Sequence, residues 1–381
     1  MKLVVNLKLE PTDAQAALLL ATLERCNAAC NWLSQTGWAN NTLRQYDLHQ
    51  LAYHRCRQAF SLAAQVTARC IAKVADAYKA GREVQRQFRP HAAQPYDERI
   101  FRIVSDTLLS IWTLSGREKI AYVCGERQRA LLAHRKGEVD LMLVRGAWYI
   151  AVVCDVDEPD IIETTDILGV DLGIVNIATT SDGATFSGAA MERNRRRYAH
   201  RRRNLQRKGT RSARRKLCRI KGQQGRFQKD VNHCISKAIV TEAQRTGRGI
   251  AIEELGGIRG RVTARKPQRA RLHNWPFHQL RQFLTYKSRL AGIPLIAVDP
   301  AYTSQTCPHC GTVDKRNRPT RDSFKCIGCG FAGPADAVAA TNIRQRALAA
   351  RAVVNQPMVA GTVAHAASSP SGKPSPSGDG S

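Results

Sequence analysis

The 381-residue chain carries 59 Lys and Arg against 31 Asp and Glu, giving a formal net charge of +28 and a pI near 10.2. A charge that large is out of place on an ordinary enzyme of small neutral substrates. It implies a polyanionic partner, most simply nucleic acid, with an anionic membrane as the rival. No apolar run approaches the ~18 residues that cross a bilayer. The opening MKLVVNLKLEP reads as a charged strand and not as a secretion signal, so a soluble, cytoplasmic protein with no membrane partner is expected. Eight of the 12 cysteines stand singly (Cys26, Cys30, Cys56, Cys70, Cys124, Cys154, Cys218, Cys234) and read as small buried hydrophobes, not as a disulfide framework.

Residues 1–10 alternate apolar and polar, as a strand does. Pro11-Thr12-Asp13 offers a helix start, with Thr12 or Asp13 as the cap. From residue 14 to 37, Leu18, Leu19, Leu23, Cys26, Ala29, Trp32 and Leu33 recur at helical spacing, and further helical segments run through 43–59 and 61–80. The stretch 11–95 is a helical bundle, serving either structure or the grip on nucleic acid. Over 96–160 the character changes. β-rich pieces at 100–104, 108–113, 119–123, 138–144 and 147–156 are separated by Ser115-Gly116, Lys136-Gly137 and Arg145-Gly146. They predict a small antiparallel barrel or sheet, closed by the strand at 1–10.

The stretch 167–183, ILGVDLGIVNIATTSDG, places Asp171 at the end of a run that otherwise reads as buried. A buried carboxylate is costly unless something positive meets it; a divalent cation would, and a solvated strand end is the plain alternative. Asp182-Gly183 supplies the turn after the second run. From Arg193 to Lys229 there are 17 Lys or Arg and no acid. Interleaved Leu205, Leu217, Ile220, Phe227, Val231, Ile235 and Ile239 fit long helices over 191–247. Arginine-rich helices lie well along phosphates. The candidate nucleic-acid contacts are Arg195, Arg196, Arg197, Arg201, Arg202, Arg203, Arg207, Lys208, Arg211, Arg214, Arg215 and Lys216. His233 is more simply a packed polar contact than a base or ligand.

A short strand, 249–252, ends in Glu253-Glu254, whose side chains point to opposite faces, so only one can share a site with Asp171. An amphipathic helix over 274–291 and a strand over 293–298 follow. Then Cys307-x-x-Cys310 and Cys326-x-x-Cys329 are separated by fifteen residues. That spacing matches a zinc ribbon, whose four thiolates leave no open position, so the ion is structural. Asp336 opens an alanine-rich helix, where its plain role is a cap. The tail 351–381, rich in Ser, Pro, Gly and Ala, is expected to be disordered.

Asp171, Glu253 or Glu254, and Asp336 stand far apart in sequence, and the elements between them fit an RNase H-like fold in which such a trio converges at one sheet edge. Gly169-Val170-Asp171-Leu172-Gly173, Asn232-His233-x-x-Ser236-Lys237, Ile252-Glu253-Glu254-Leu255, Tyr286-Lys287, Thr303-Ser304-Gln305-Thr306-Cys307, the two CxxC pairs, Asp336-x-x-Ala339-Ala340-x-Asn342-Ile343 and Pro11-Thr12-x-x-Gln15 together resemble the TnpB family of transposon-encoded RNA-guided nucleases. The resemblance runs from about residue 1 to 345.

It implies a multi-domain α+β fold. Residues 1–10 would be the first strand of a wedge β-barrel completed by 96–160, and 11–95 a helical recognition lobe. A RuvC-like mixed-sheet nuclease domain would occupy 161–302, interrupted by the zinc ribbon at 303–333 and completed by a final helix at 334–350. The resemblance selects Glu253 over Glu254 and makes Asp171, Glu253 and Asp336 the ligands of two catalytic Mg²⁺, with Mn²⁺ as a substitute. The partners would be a guide RNA and double-stranded target DNA, bound by a monomer. Two departures stand out: the family usually has Asp and Arg where Pro334-Ala335 stand, and Asn where Val338 stands.

The chemistry agrees on its own terms. Hydrolysis of a phosphodiester needs an activated water and a stabilised leaving oxygen, which two magnesium ions about 3.5–4 Å apart provide, and magnesium takes hard oxygen ligands. The rival readings are a nuclease-inactive RNA-guided repressor, a miniature type V CRISPR nuclease, and a zinc-ribbon binding protein without catalysis.

Overall fold

The computed structural model describes residues 1–255 and 277–354. The expected tail beyond 354 and Trp275 lie outside the described residues. The chain divides into two compact units, Met1–Asp157 and Glu158–Ser381. Among the described residues no helix is long and apolar enough to cross a membrane.

The first unit is built on β1 (Lys2–Glu10), followed by α1 (Asp13–Ala39), α2 (Gln45–Phe60) and α3 (Ala64–Lys79). Thr12 caps α1 and forms a capping box with Gln15. Gln15 Nε2 also donates to the Lys119 carbonyl at 3.0 Å. The Pro11-Thr12-x-x-Gln15 motif is thus a helix start that doubles as a latch onto the sheet. That sheet comprises β2 (Gln94–Tyr96), β3 (Phe101–Ile103), β4 (Leu108–Thr113), β5 (Gly116–Val123), β6 (Arg135–Val144), β7 (Ala147–Asp155) and β1, in the order β2-β6-β7-β1-β5-β4-β3. A short helix, α4 (Glu126–Leu132), links β5 to β6.

The two edge strands, β2 and β3, are separated only by residues 97–100, and Tyr96 Oη donates to the Trp112 carbonyl at 3.2 Å. The sheet therefore curls back on itself into a nearly closed barrel with β1 at its centre. Two turn signals behave as expected: Gly116 (φ 102) and Arg145-Gly146 (φ 56 and 80) turn hairpins. Lys136-Gly137 does not turn the chain. It lies within β6, where the register against β7 slips between Arg135 and Val139. Gly137 (φ 79) forms a bulge there, because the strand can bend and resume pairing. One apolar core serves helices and barrel together, and Cys26, Cys30, Cys56, Cys70 and Cys154 are buried in it. Cys218 and Cys234 depart from the expected pattern and are exposed.

The second unit holds a five-stranded mixed sheet. Its strands are β8 (Ile167–Asp171), β9 (Asn176–Thr180), β10 (Thr185–Ser187), β11 (Gly249–Glu253) and β12 (Leu295–Val298), in the order β10-β9-β8-β11-β12. β8 pairs antiparallel with β9 and parallel with β11, which pairs parallel with β12. Three helices follow β10: α5 (Ala189–Lys208), α6 (Arg211–Ile220) and α7 (Gln223–Arg245). Then come α8 (Phe277–Leu290) and, after the ribbon, α9 (Ala335–Val354).

Strand alternation sorts this unit. Leu168, Val170, Ile250 and Ile252 face a core with Ile235 and Ile239 of α7 and Leu280 and Leu284 of α8. Ile167 and Ala251 face the other way, against Ile343 and Ala347 of α9. Gly169 shows why α9 comes so near: a Cβ there would stand 2.1 Å from the Ala340 carbonyl oxygen. Only glycine lets a helix backbone lie directly on the strand. This is the RNase H-like mixed sheet expected above.

Candidate active site and zinc ribbon

The same alternation places the acids. Asp171 follows Ile167 and Gly169 on the α9 face of β8, and Glu253 follows Gly249 and Ala251 on the α9 face of β11. Ile252 is the register partner of Val170, so the two acids end adjacent parallel strands side by side. Glu254 points to the opposite face, where Arg281 of α8 pairs with it. The choice of Glu253 over Glu254 thus follows from strand geometry. Asp336 lies in the first turn of α9, one position inside the helix and not at its cap, and it arrives from the side α9 covers.

Second-tier groups hold two of the acids. Asn176 Nδ2 donates to Asp336 Oδ2 at 2.9 Å. Thr303 Oγ1 donates to Glu253 Oε1, and the Thr303 carbonyl accepts from Asn342 Nδ2 of α9 at 2.7 Å. Glu253 is 8 % exposed. Burial raises its carboxyl above the usual range, while the Thr303 hydrogen bond pulls the other way. Asp171 is pushed from an ordinary 3.8 up to about 7, first by burial, then by Glu253 and Asp336; Arg318 opposes this only in part. Glu253 and Asp336 are therefore each near enough to act on Asp171. The three are not near enough to hold one ion together: among the described residues only the four cysteines have ligand atoms all within 4.8 Å of each other. Hard carboxylates on a buried sheet edge are the ligand type that a divalent ion such as magnesium takes.

The ribbon is more complete. Cys307 Sγ and Cys329 Sγ lie 3.6 Å apart, Cys310 Sγ and Cys326 Sγ 3.5 Å apart. A tetrahedron of Zn–S bonds of about 2.3 Å has edges of about 3.8 Å, so the sulfurs already stand where zinc needs them. The two knuckles repeat one design. Gly311 N donates to the Cys307 carbonyl at 3.0 Å and Gly330 N to the Cys326 carbonyl at 3.1 Å, and both glycines have φ 76. Hydrogen bonds from Thr312 hold the Cys310 thiol down at about 6, whereas Cys329 in the same cluster is pushed up to about 12. Buried Asn317 joins the knuckles. Its Nδ2 donates to the Gln305 and Thr312 carbonyls at 2.8 and 3.0 Å, and its Oδ1 accepts from Ile327 N at 3.0 Å. Cys307, Phe324, Cys326, Ala335 and Val338 form the ribbon's own core. Of the departures from the family pattern, Ala335 and Val338 are buried in this core.

The basic tract proves to be three helices. All twelve candidate contacts are exposed except Arg195, which is half-buried. Glu192, one residue before the tract, pairs with Arg195 at 2.7 Å and Arg196 at 2.8 Å. These two are thus engaged within the chain, an i,i+3 and i,i+4 reach that the acid-free count concealed. Arg197 and Arg201 lie over the Tyr198 ring. Arg202, Arg203, Arg207, Lys208, Arg211, Arg214, Arg215 and Lys216 make no ion pair among the described residues.

The motif segments without acids meet each other. Lys287 Nζ of α8 donates to the His233 carbonyl at 2.6 Å and to Ser236 Oγ at 2.7 Å, and Asn232 Nδ2 donates to Gln279 Oε1 at 3.1 Å. The His233 ring stacks on Phe283, with centroids 3.9 Å apart. Asn232, His233, Ser236 and Lys287 form a clamp between α7 and α8, as the packed reading of His233 anticipated. Sequence reasoning missed Asn176, Thr303 as a carboxylate partner, and Asn317. Thr303 lay inside a quoted motif; for the two asparagines no local signal existed.

Two family models match the chain, one described as a probable transposase over residues 151–256 and one as a Cas12f1-like TNB domain over residues 277–343. A CRISPR-associated endodeoxyribonuclease Cas12f1 of Sulfoacidibacillus thermotolerans is 33 % identical over 52 % of this chain and 50 % of its own length. The putative RNA-guided DNA endonuclease InsQ of Escherichia coli K12 is 28 % identical over 52 % of this chain and 53 % of its own. A TnpB-like protein of Methanocaldococcus jannaschii is 34 % identical over 32 % and 44 %. The chain belongs to the TnpB family. It spans about half the length of the first two relatives. Beyond sequence, a Cas12f1 solved by cryo-electron microscopy with sgRNA and target DNA superposes with a TM-score of 0.59, 16 % identity, covering 88 % of this chain and 83 % of that one. That likeness is one of fold.

Proposed function

We propose that the chain is a transposon-encoded, RNA-guided DNA endonuclease that hydrolyses target-DNA phosphodiester bonds at Asp171, Glu253 and Asp336. The observation that carries this reading is the convergence of the three acids, from positions 171, 253 and 336, on the α9 face of one mixed sheet, with Asp171 raised to about 7 by burial and by the other two. Such mutual repulsion is a standing demand for cations, and a DNA phosphate brings the same demand. Two Mg²⁺, when bound, would activate a water and stabilise the leaving 3′-oxygen. Asp171, Glu253 and Asp336 would hold these ions between them. Thr303 and Asn176 keep the outer two carboxylates aimed. The free arginines and lysines of α5 and α6 bind the backbone of a guide RNA–DNA duplex, whose pairing reads the sequence, while protein reads a short flanking motif. The names of the endonuclease relatives support the same activity.

The test is to isolate the protein with its co-expressed RNA, sequence that RNA, and challenge the complex with a plasmid library carrying randomised flanks, with and without Mg²⁺. Flank-dependent, metal-dependent cutting at a site matching the RNA is expected. Guided binding without cutting by the unaltered chain would establish the repressor reading instead. Because a Cas12f1 is among the relatives, the origin of the bound RNA also matters: a guide transcribed from a CRISPR array would mark a miniature type V nuclease, and one from the transposon end the reading proposed.

A further inference from the structure

Where α1 ends and α2 begins, Trp38, Asn41, Leu43, Arg44, Asp47 and Arg82 line a cavity of about 450 Å³. The Trp38 indole is backed by Tyr78, with ring centroids 6.2 Å apart and planes 20° from parallel, yet it remains 39 % exposed. Tyr78 cannot swing away. It is buried, its hydroxyl lies 2.8 Å from Ser34 Oγ, and it accepts from Arg86 N at 3.1 Å. The exposed indole is therefore a fixed platform. Arg44 and Arg82 are exposed and make no ion pair among the described residues, and neither does Asp47. Trp38 belongs to no apolar cluster of the unit.

The composition narrows the occupant. Two arginines without acidic partners favour an anion, but a bare phosphate has no use for an indole. An apolar peptide has no use for two guanidinium groups. Asp47 argues against a polyphosphate and in favour of a neutral edge bearing N–H donors. The volume is within the ~300–1,000 Å³ of sites that enclose a small-molecule-sized group. A nucleotide meets every requirement: a base for the indole, a phosphate for arginine, and ring or exocyclic N–H groups for Asp47 and the Asn41 amide. In a paired, stacked duplex the base faces are covered, so the nucleotide has to be unpaired.

We propose that this cavity holds one unpaired nucleotide, its base stacked on Trp38, its phosphate between Arg44 and Arg82, and its N–H-bearing edge against Asp47. The inference rests on the nucleic-acid-binding part of the function proposed above and not on cleavage. The strand is RNA or DNA, and the test separates the two.

The ribonucleoprotein, isolated with its co-expressed RNA, would be cross-linked by ultraviolet light alone and again after addition of double-stranded target DNA, and adducts mapped to peptides by mass spectrometry. A nucleotide adduct on the peptide carrying Trp38 is expected: in both samples if the source is RNA, and only with DNA added if it is DNA. Trp38→Ala should abolish it, and Trp38→Tyr should retain it. Arg44→Gln with Arg82→Gln should reduce it at least about fivefold, while adducts on the basic tract of α5 and α6 persist. In parallel, Trp38→Ala should weaken binding of short single-stranded oligonucleotides by about five- to a hundredfold, the effect of losing one stacked base. Adducts on the basic tract with none at Trp38 in either sample would overturn the proposal, as would oligonucleotide affinity unchanged by Trp38→Ala. A complex that cuts guided DNA but lacks the Trp38 adduct sinks the cavity alone, and one with the adduct but no cutting sinks the nuclease reading alone.

Discussion

The ribbon and the acidic edge, the latter a metal site only in the function proposed, lie in one unit and are prepared in opposite ways. In the ribbon the four sulfurs lie within 4.8 Å of one another before any ion is considered. Asn317, two matched glycine turns and a small apolar core hold them there. At the acidic edge the carboxylates are aimed but kept apart, and their repulsion is left standing in the raised Asp171. The difference follows from the task. A structural ion has to be enclosed, and its binding energy adds to folding. A catalytic pair has to leave room for substrate oxygens, so the protein supplies only part of each ion's shell.

Breaking the ribbon should give the largest effect. Cys326→Ser removes one of four thiolates from a site type whose ion contributes on the order of 10 kcal/mol of apparent binding energy. Loss of bound zinc, measured by elemental analysis, should accompany a lower unfolding temperature. Cleavage should be lost as well, because Asn342 ties the chain before the first knuckle to α9, which carries Asp336. Retention of zinc and stability would mean that the knuckles do not act as one site.

Asp171→Asn should do the reverse. Cleavage should fall by at least about a hundredfold, the scale of losing a preorganised charge in a site of this kind, while RNA and target binding persist. Stability without added metal should rise, since a repelling charge is gone. A stability loss comparable to Cys326→Ser would make Asp171 a structural residue.

The third distinction is pH. The folded Asp171 carboxyl, at about 7, lies above its ordinary 3.8, so between these values the folded state binds more protons than the unfolded one. The contribution of Asp171 to metal-free stability should therefore be full below about pH 4 and be lost as pH rises toward 7. Magnesium competes with the same proton, so its affinity should climb over that window and level off above it. A titration by calorimetry in the wild type and in Asp171→Asn, where the slope should flatten, checks both.

The smallest effects compare supporting side chains. Asn317→Ala should cost about 1–3 kcal/mol, since it strands buried backbone groups, and should show in zinc retention and thermal unfolding. Asn176→Ala should leave stability nearly unchanged and lower cleavage at limiting Mg²⁺, because its partner Asp336 loses only its aim. If the two variants behaved alike, the contrast between an enclosed and an open site would not hold.

Much of this was legible in one dimension because the decisive features are local. The CxxC spacing is itself the geometry of a knuckle. The helical periodicity of 14–37 and 61–80 became α1 and α3 nearly unchanged, because apolar stripes need only a neighbour to bury them. Strand alternation put Glu253 and Glu254 on opposite faces but could not say which of them shares a face with Asp171. Lys136-Gly137 was misread as a turn because a bulge and a hairpin make the same local demand for positive φ. Glu192 was missed because a count over 193–229 stops one residue short of the helix start that matters.

The residue order therefore determined the basic charge, the ribbon and the succession of elements, and it singled out the candidate acids, since each depends on neighbours within a few turns or strands. The tertiary structure alone decided which face Asp171 and Glu253 share, that α9 can lie on β8 across Gly169, that Asn176 and Thr303 steer carboxylates more than forty positions away, and that Val338 is buried in the ribbon's core. Those facts depend on which surfaces meet when the chain closes on itself, and no spacing along the chain encodes that distance.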